Sequence, residues 1–167
     1  MKVVGTEREF HRRSARSCFN SAWDYLDKKN RTPEENRQML NLAHASRYHW
    51  GLVGTDLNLA VGDWQLSRVY AALGHSDLAL QFAQSCLSTC EANRLDGAIH
   101  FAYEGVARAY AVGLDAERAV KYLGLSRAAL SKQKLGREGR RIYAGQLMET
   151  ERLVREIGRP HAGKSRD

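Results

Sequence analysis

Six residues of this chain recur at a spacing of 40: Asp56, Arg68, Tyr70, Ala71, Ala79 and Leu95 are followed by Asp96, Arg108, Tyr110, Ala111, Ala119 and Leu135. A fixed period of that length is the signature of helical hairpins stacked on one another, because a single hairpin cannot bury its apolar face alone. Such stacks offer long surfaces that more often bind than catalyse, and their specificity lies in particular groove side chains.

The local patterns agree with helices throughout, and strand-like alternation is absent over any useful length. Seven amphipathic segments are expected. The first, over 6–29, opens on Thr6 with Glu9 three positions later, a capping-box pattern. Thr32, Pro33, Glu34 and Glu35 form a strong start for the second, which runs to about Val53. Asp56, Ser76 and Asp115 are the expected caps of the third, fourth and sixth, with Gly74 and Gly113 as breaks. The fifth buries Ile99, Ala102, Tyr103, Val106, Ala107 and Tyr110, and the sixth Ala119, Val120, Leu123 and Leu130. The last carries Tyr143, Leu147, Thr150, Val154 and Ile157 on a narrow seam, suited to closing a stack or to pairing with a twin copy. A single domain over 1–158 and a short disordered tail over 159–167 follow from this reading.

Between residues 56 and 135 the chain resembles the tetratricopeptide repeat (TPR). Ser67, Tyr70, Gly74 and Ala79 match one unit; Ala107, Tyr110 and Ala119 match the next, with Gly113 displaced by one position. The usual period of that family is about 34 residues, so the wider spacing here implies longer helices or loops. The resemblance implies an all-α, right-handed α-solenoid of helical hairpins, and a non-catalytic adaptor or scaffold that holds a protein or peptide in its concave groove. The first helix of each unit would line that groove, placing Trp64, Gln65, Arg68, Glu104 and Arg108 there, with Tyr103 and Tyr48 at the rim. Arg68 and Arg108, at equivalent repeat positions, would stand about 10 Å apart, as neighbouring helices do. Arginine is well shaped to grip an acidic group bidentately. The alternative is a solvated pair, or one partnered locally by an acid such as Asp63 or Glu104. On the groove reading, replacing both arginines by alanine weakens partner capture and hardly changes thermal stability.

Other constellations carry less. His44 and His49 are five apart and do not make the pair of a zinc-binding helix, while His100 and Glu104 read as an ordinary surface pair. Cys86 and Cys90 read as small core residues. No phosphate loop, nucleophile elbow or dinucleotide fingerprint occurs, so neither a cofactor nor a metal is expected. A small enzyme built on His44, Tyr48, His100 and Glu104 is the alternative from another class.

The net charge of +7 sits at the two ends: eight Lys/Arg against four Asp/Glu over 1–31, nine against five over 134–167, and nine against ten between them. Solvated end-caps account for this. A non-specific nucleic-acid or anion grip by Arg12, Arg13 and Arg16 with Arg137, Arg140 and Arg141 is the competing reading, and nucleic acid is the less favoured partner. Three cysteines, a charged start and no apolar run of spanning length predict a cytoplasmic chain with no membrane segment. Self-association through Leu147, Val154 and Ile157 would give a homodimer.

Overall fold

The computed structural model describes residues 2–157, with side chains from residue 5 onward. The tail expected over 159–167 lies outside the described residues. The fold is all-α, with no strand among the described residues: α1 (Lys2–Leu26), α2 (Pro33–Val53), α3 (Asp56–Ala72), α4 (Ser76–Ala92), α5 (Ile99–Val112), α6 (Ala116–Ser131) and α7 (Arg137–Ile157).

Helix starts follow side-chain chemistry, with three corrections. The Thr32 hydroxyl accepts from the Glu35 N–H while Glu35 reaches back to the Thr32 N–H, and Pro33 takes the first turn as expected. Asp115 caps α6 by accepting from the Arg118 N–H at 2.9 Å. Thr6, however, lies inside α1, which begins before it. Thr55, not Asp56, caps α3: its hydroxyl and the Asn58 side chain form the reciprocal pair, and Asp56 supplies charge in the first turn. His75, not Ser76, occupies the cap of α4, and it makes no side-chain cap bond. There the chain is turned by the residue before: Gly74 is left-handed at φ 81°.

That turn recurs. Gly74, Arg94 and Leu114 have φ of 81°, 52° and 62°, and after each the next N–H closes onto the carbonyl five residues back: His75 to Tyr70, Leu95 to Cys90 and Asp115 to Tyr110, each at 2.9 Å. This is the helix-ending left-handed motif. Helix plus turn thus repeats every 20 residues, and two such steps make the period of 40.

Packing follows the same rhythm. The pairs α1/α2, α3/α4 and α5/α6 lie against one another, and α1, α3, α5 and α7 stand side by side in that order. Contacts along these four advance in the same direction: Trp64 meets Phe101 and Arg68 meets Glu104, while Phe101 meets Tyr143 and Arg108 meets Glu149. Between α1 and α3, Gln65 donates to the Phe19 carbonyl and Arg68 lies over Trp23, again in the same direction, so the four odd-numbered helices are parallel. On α2, α4 and α6 the buried stripe keeps the 40-residue register at three positions: Met39, Ala79, Ala119; Ala43, Ala83, Leu123; Ser46, Cys86, Ser126. Two of its members tie hairpins together, Ser46 donating to the Ala15 carbonyl at 2.9 Å and Ser126 to that of His100 at 2.8 Å.

Small residues let the backbones approach. A Cβ placed on Gly105 would stand 3.3 Å from the Ala83 Cβ and 3.4 Å from Trp64 Cδ1. Val120 departs from expectation and is exposed, because the apolar stripe of α6 passes through Ala119 and Leu123 instead. The seam of α7 packs within the chain: Leu147 is buried with Ala107 and Leu123, and Val154 lies against them. Leu147 and Val154 thus pack against α5 and α6 of their own chain, and Ile157 is half-buried.

Candidate functional site

Of the residues expected to face an open groove, Gln65 and Glu104 lie under cover, while Trp64 and Arg68 are nearly buried and show only an edge to a chamber between the helices. Trp64 and Glu104 are each 3% exposed, Gln65 is fully buried, and Arg68 and Arg108 are 8% exposed. The reason is a shared carboxylate. Glu104 accepts from Trp64 Nε1 (2.9 Å), Arg108 Nε (2.8 Å), Arg68 Nη1 (3.4 Å) and the Thr150 hydroxyl (2.7 Å). Both arginines also reach Glu149 of α7, Arg68 at 2.9 Å and Arg108 at 3.3 Å. Two cations thus face two anions at the junction of α3, α5 and α7, and the arginine pair is already satisfied by its own chain.

The electrostatics follow from this geometry. Burial alone would raise the Glu104 carboxyl, but Arg108, Arg68 and the hydrogen bonds from Thr150 and Trp64 hold it down at about 2. Arg68 carries the cost: burial and the neighbouring Arg108 pull its guanidinium below the usual value, against the pull of Glu104 and Glu149, and its Nε has no partner. Its flat guanidinium lies over the rings of Trp23, at 5.1 Å, and Trp64, at 5.5 Å.

Above this cluster the odd-numbered helices leave a channel. Its main chamber, about 620 Å³, is lined by Phe19 and Trp23 of α1, Trp64 and Arg68 of α3, Phe101 of α5, and Arg141, Tyr143 and Glu149 of α7. Every one of the four parallel helices contributes an aromatic ring. Phe19 and Val61 are shared with a second chamber of about 300 Å³ holding Arg16, Asn20 and Trp50. Arg68 and Glu149 are shared with a third of about 280 Å³ beyond the ion cluster, toward the C-terminal ends of the helices. The volumes suit a few side chains of a ligand.

No family model, curated protein or solved structure matches this chain.

The remaining expected residues scatter. Tyr48 is 63% exposed on α2, and Tyr103 lines a separate hollow between α5 and α6 with Ile99 and Leu125. His44 shares a 2.8 Å hydrogen bond with the Tyr70 hydroxyl. His100, expected at the surface, is buried between Phe101 and Tyr143, both its ring nitrogens are unpartnered, and burial lowers it to about 4. Thus His44, Tyr48, His100 and Glu104 each sit in a different set of contacts. Among the described residues no group of three or more His, Cys, Asp and Glu side chains is arranged to hold a metal ion.

Phe19, Trp23, Phe101, Tyr143, Arg141 and Glu149 line the channel without the repeat pattern marking them for it. A signal existed for two of them: Phe19 and Trp23 stand four apart beside Arg16 and Asp27 on one stripe of α1. Tyr143 falls on the seam of α7 by its spacing, and its ring meets Phe101 and lines the channel.

Proposed function

We propose that this chain is a non-catalytic peptide- or protein-binding module, a right-handed α-solenoid of the TPR-like class, and that the occupant docks in the aromatic channel. The observation that carries this reading is the convergence of one aromatic side chain from each of four parallel helices on a single open chamber. The parallel order of α1, α3, α5 and α7 and the 40-residue register of α2, α4 and α6 support the architecture. Large rings held by their neighbours are good anchors, since little side-chain freedom is lost when a ligand covers them. Arg68 and Arg108 shape the floor rather than grip the partner.

Gly145 supplies the test. It lines the channel, and nothing lies within 4 Å of a Cβ built on it. Gly145→Trp therefore sends a large ring toward the chamber from a position where its Cβ meets nothing, on a helix that gains from losing a glycine. Random peptides displayed on phage and enriched on the native chain are expected to lose at least about tenfold in affinity for this variant while its melting temperature holds or rises. Failure to enrich any peptide, or equal binding to this variant, rules the channel out as the docking site.

A further inference from the structure

Resting on that reading, the channel carries information about its occupant in the charges that its own fold leaves unmatched. Of the lining arginines, Arg68 is neutralised by Glu104 and Glu149. Arg16 and Arg141 are not: both are exposed, and neither has a hydrogen-bond or ion-pair partner among the described residues. They stand on opposite walls, Arg141 of α7 in the main chamber and Arg16 of α1 in the adjoining one that shares Phe19 and Val61 with it, both toward the N-terminal ends of the odd-numbered helices. Asp27, likewise without an ion-pair partner among the described residues, and the half-exposed Glu149 lie on the C-terminal side. Along α1 the separation from Arg16 to Asp27 is about 16 Å, and along α7 from Arg141 to Glu149 about 12 Å, at 1.5 Å per residue. The rings lie between.

We propose that the channel takes a peptide segment in which a bulky apolar residue carries aspartate or glutamate on one flank only, and that Arg16 and Arg141 read those carboxylates. The apolar side chain rests among Trp23, Trp64, Phe101 and Tyr143. The carboxylates lie toward the N-terminal ends of the odd-numbered helices, and the opposite flank, facing Asp27 and Glu149, is neutral or basic. The arrangement fixes a direction for the bound segment, since reversal takes its acids away from Arg16 and Arg141 and sets them against the unpaired Asp27, beside Glu149, which Arg68 and Arg108 already neutralise. The same asymmetry argues against a nucleic-acid strand. Phosphates recur at every nucleotide, so a strand threading the chamber would bring some of them against those two carboxylates.

The test is the charge pattern of the enriched peptides, compared between the native chain and Arg16→Glu/Arg141→Glu. Neither arginine has a folding partner to lose, so the variant chain folds, and its circular dichroism and melting verify this. The expected result is acid enrichment on one flank of an aromatic or leucine residue, about tenfold weaker binding of those peptides to the double variant, and a gap that narrows as salt is raised. Peptides that Gly145→Trp blocks but that show no acidic bias, or that bind the double variant equally, overturn this proposal and leave the channel reading intact. Peptides indifferent to Gly145→Trp overturn both. Oligothymidylate binding the native chain more tightly than any selected peptide, and lost on the double variant, replaces the peptide with nucleic acid.

Discussion

The two repeat units, 56–95 and 96–135, share a backbone plan and use equivalent positions differently. Ala60, Trp64 and Gly74 in the first correspond to His100, Glu104 and Leu114 in the second. Trp64 and Glu104, the same position one unit apart, are hydrogen-bonded to each other. Arg68 and Arg108, also equivalent, turn to the same carboxylate. At these three positions the first unit has apolar or conformationally easy residues where the second has a buried acid, a buried unpartnered imidazole and a non-glycine left-handed turn. Elsewhere the first unit buries Asp63 against Arg47 and turns at the left-handed Arg94. Stability should be more sensitive to the second unit, and its pH dependence should originate there.

The largest test removes the shared carboxylate. Glu104→Ala leaves Arg68 and Arg108 with the half-exposed Glu149 as their one carboxylate, Arg108 keeping a bond to the Gln146 carbonyl, and strips an acceptor from Trp64 and from Thr150. Breaking a buried ion pair from one side costs roughly 3–5 kcal/mol, to be read from chemical denaturation. Arg68→Ala with Arg108→Ala isolates the same carboxylate and is expected to lose a similar amount. That reverses the sequence-based expectation of nearly unchanged stability. A loss below about 1 kcal/mol in both would mean that the cluster behaves as a solvated surface network.

Acid titration separates the two buried groups. Both have depressed values in the fold, so both favour the folded state at high pH and lose that contribution as pH falls. For His100 the loss runs from its ordinary value of 6.5 down toward about 4. For Glu104 it runs from 4.5 down toward about 2. His100→Ala, which copies Ala60 of the first unit, should flatten the upper part of the stability profile relative to the native chain, and Glu104→Gln the lower part. His44 and His49, also lowered by burial, keep some slope in the upper window in every variant. A His100→Ala profile parallel to the native one would show that the imidazole is solvated.

How far the sequence foretold this differs by element. The repeat announced itself over 56–135, where Tyr70/Tyr110 and Ala79/Ala119 keep their identities. The first hairpin obeys the same register on α2, but only Ala43 keeps its identity, with Ala83, while Met39 and Ser46 share burial but not side-chain type with Ala79 and Cys86, so the match is hidden. The groove reading failed at its arginines because helical period tells which residues share a face and not what covers it. The cover for Arg68 is Glu149, 81 residues away. α3 compounds the difficulty: it is buried from Gly62 to Val69 without a break, enclosed by α2, α4 and α5, so no polar face marks its orientation. Local pairing with Glu104 was foreseen as the alternative, and it is what the fold uses.

The smallest expected effect concerns the turns. Gly74 and Leu114 occupy equivalent left-handed positions, at φ 81° and 62°, and each is followed by the same closing hydrogen bond. Sequence matching had paired Gly74 with Gly113, one residue early, but Gly113 sits at φ −78° and needs no glycine. A side chain in that region crowds the following carbonyl at a cost of roughly 1–2 kcal/mol, and Leu114, 73% exposed, recovers little of it by packing. Replacing it by glycine relieves the strain, although the unfolded chain gains freedom that offsets part of the benefit. Leu114→Gly should therefore raise stability by about 0.5–1 kcal/mol, whereas Gly74→Leu in the first unit should lower it. A destabilised Leu114→Gly would show that the leucine makes contacts worth more than the strain, and the two turns would then differ in energy despite sharing one geometry.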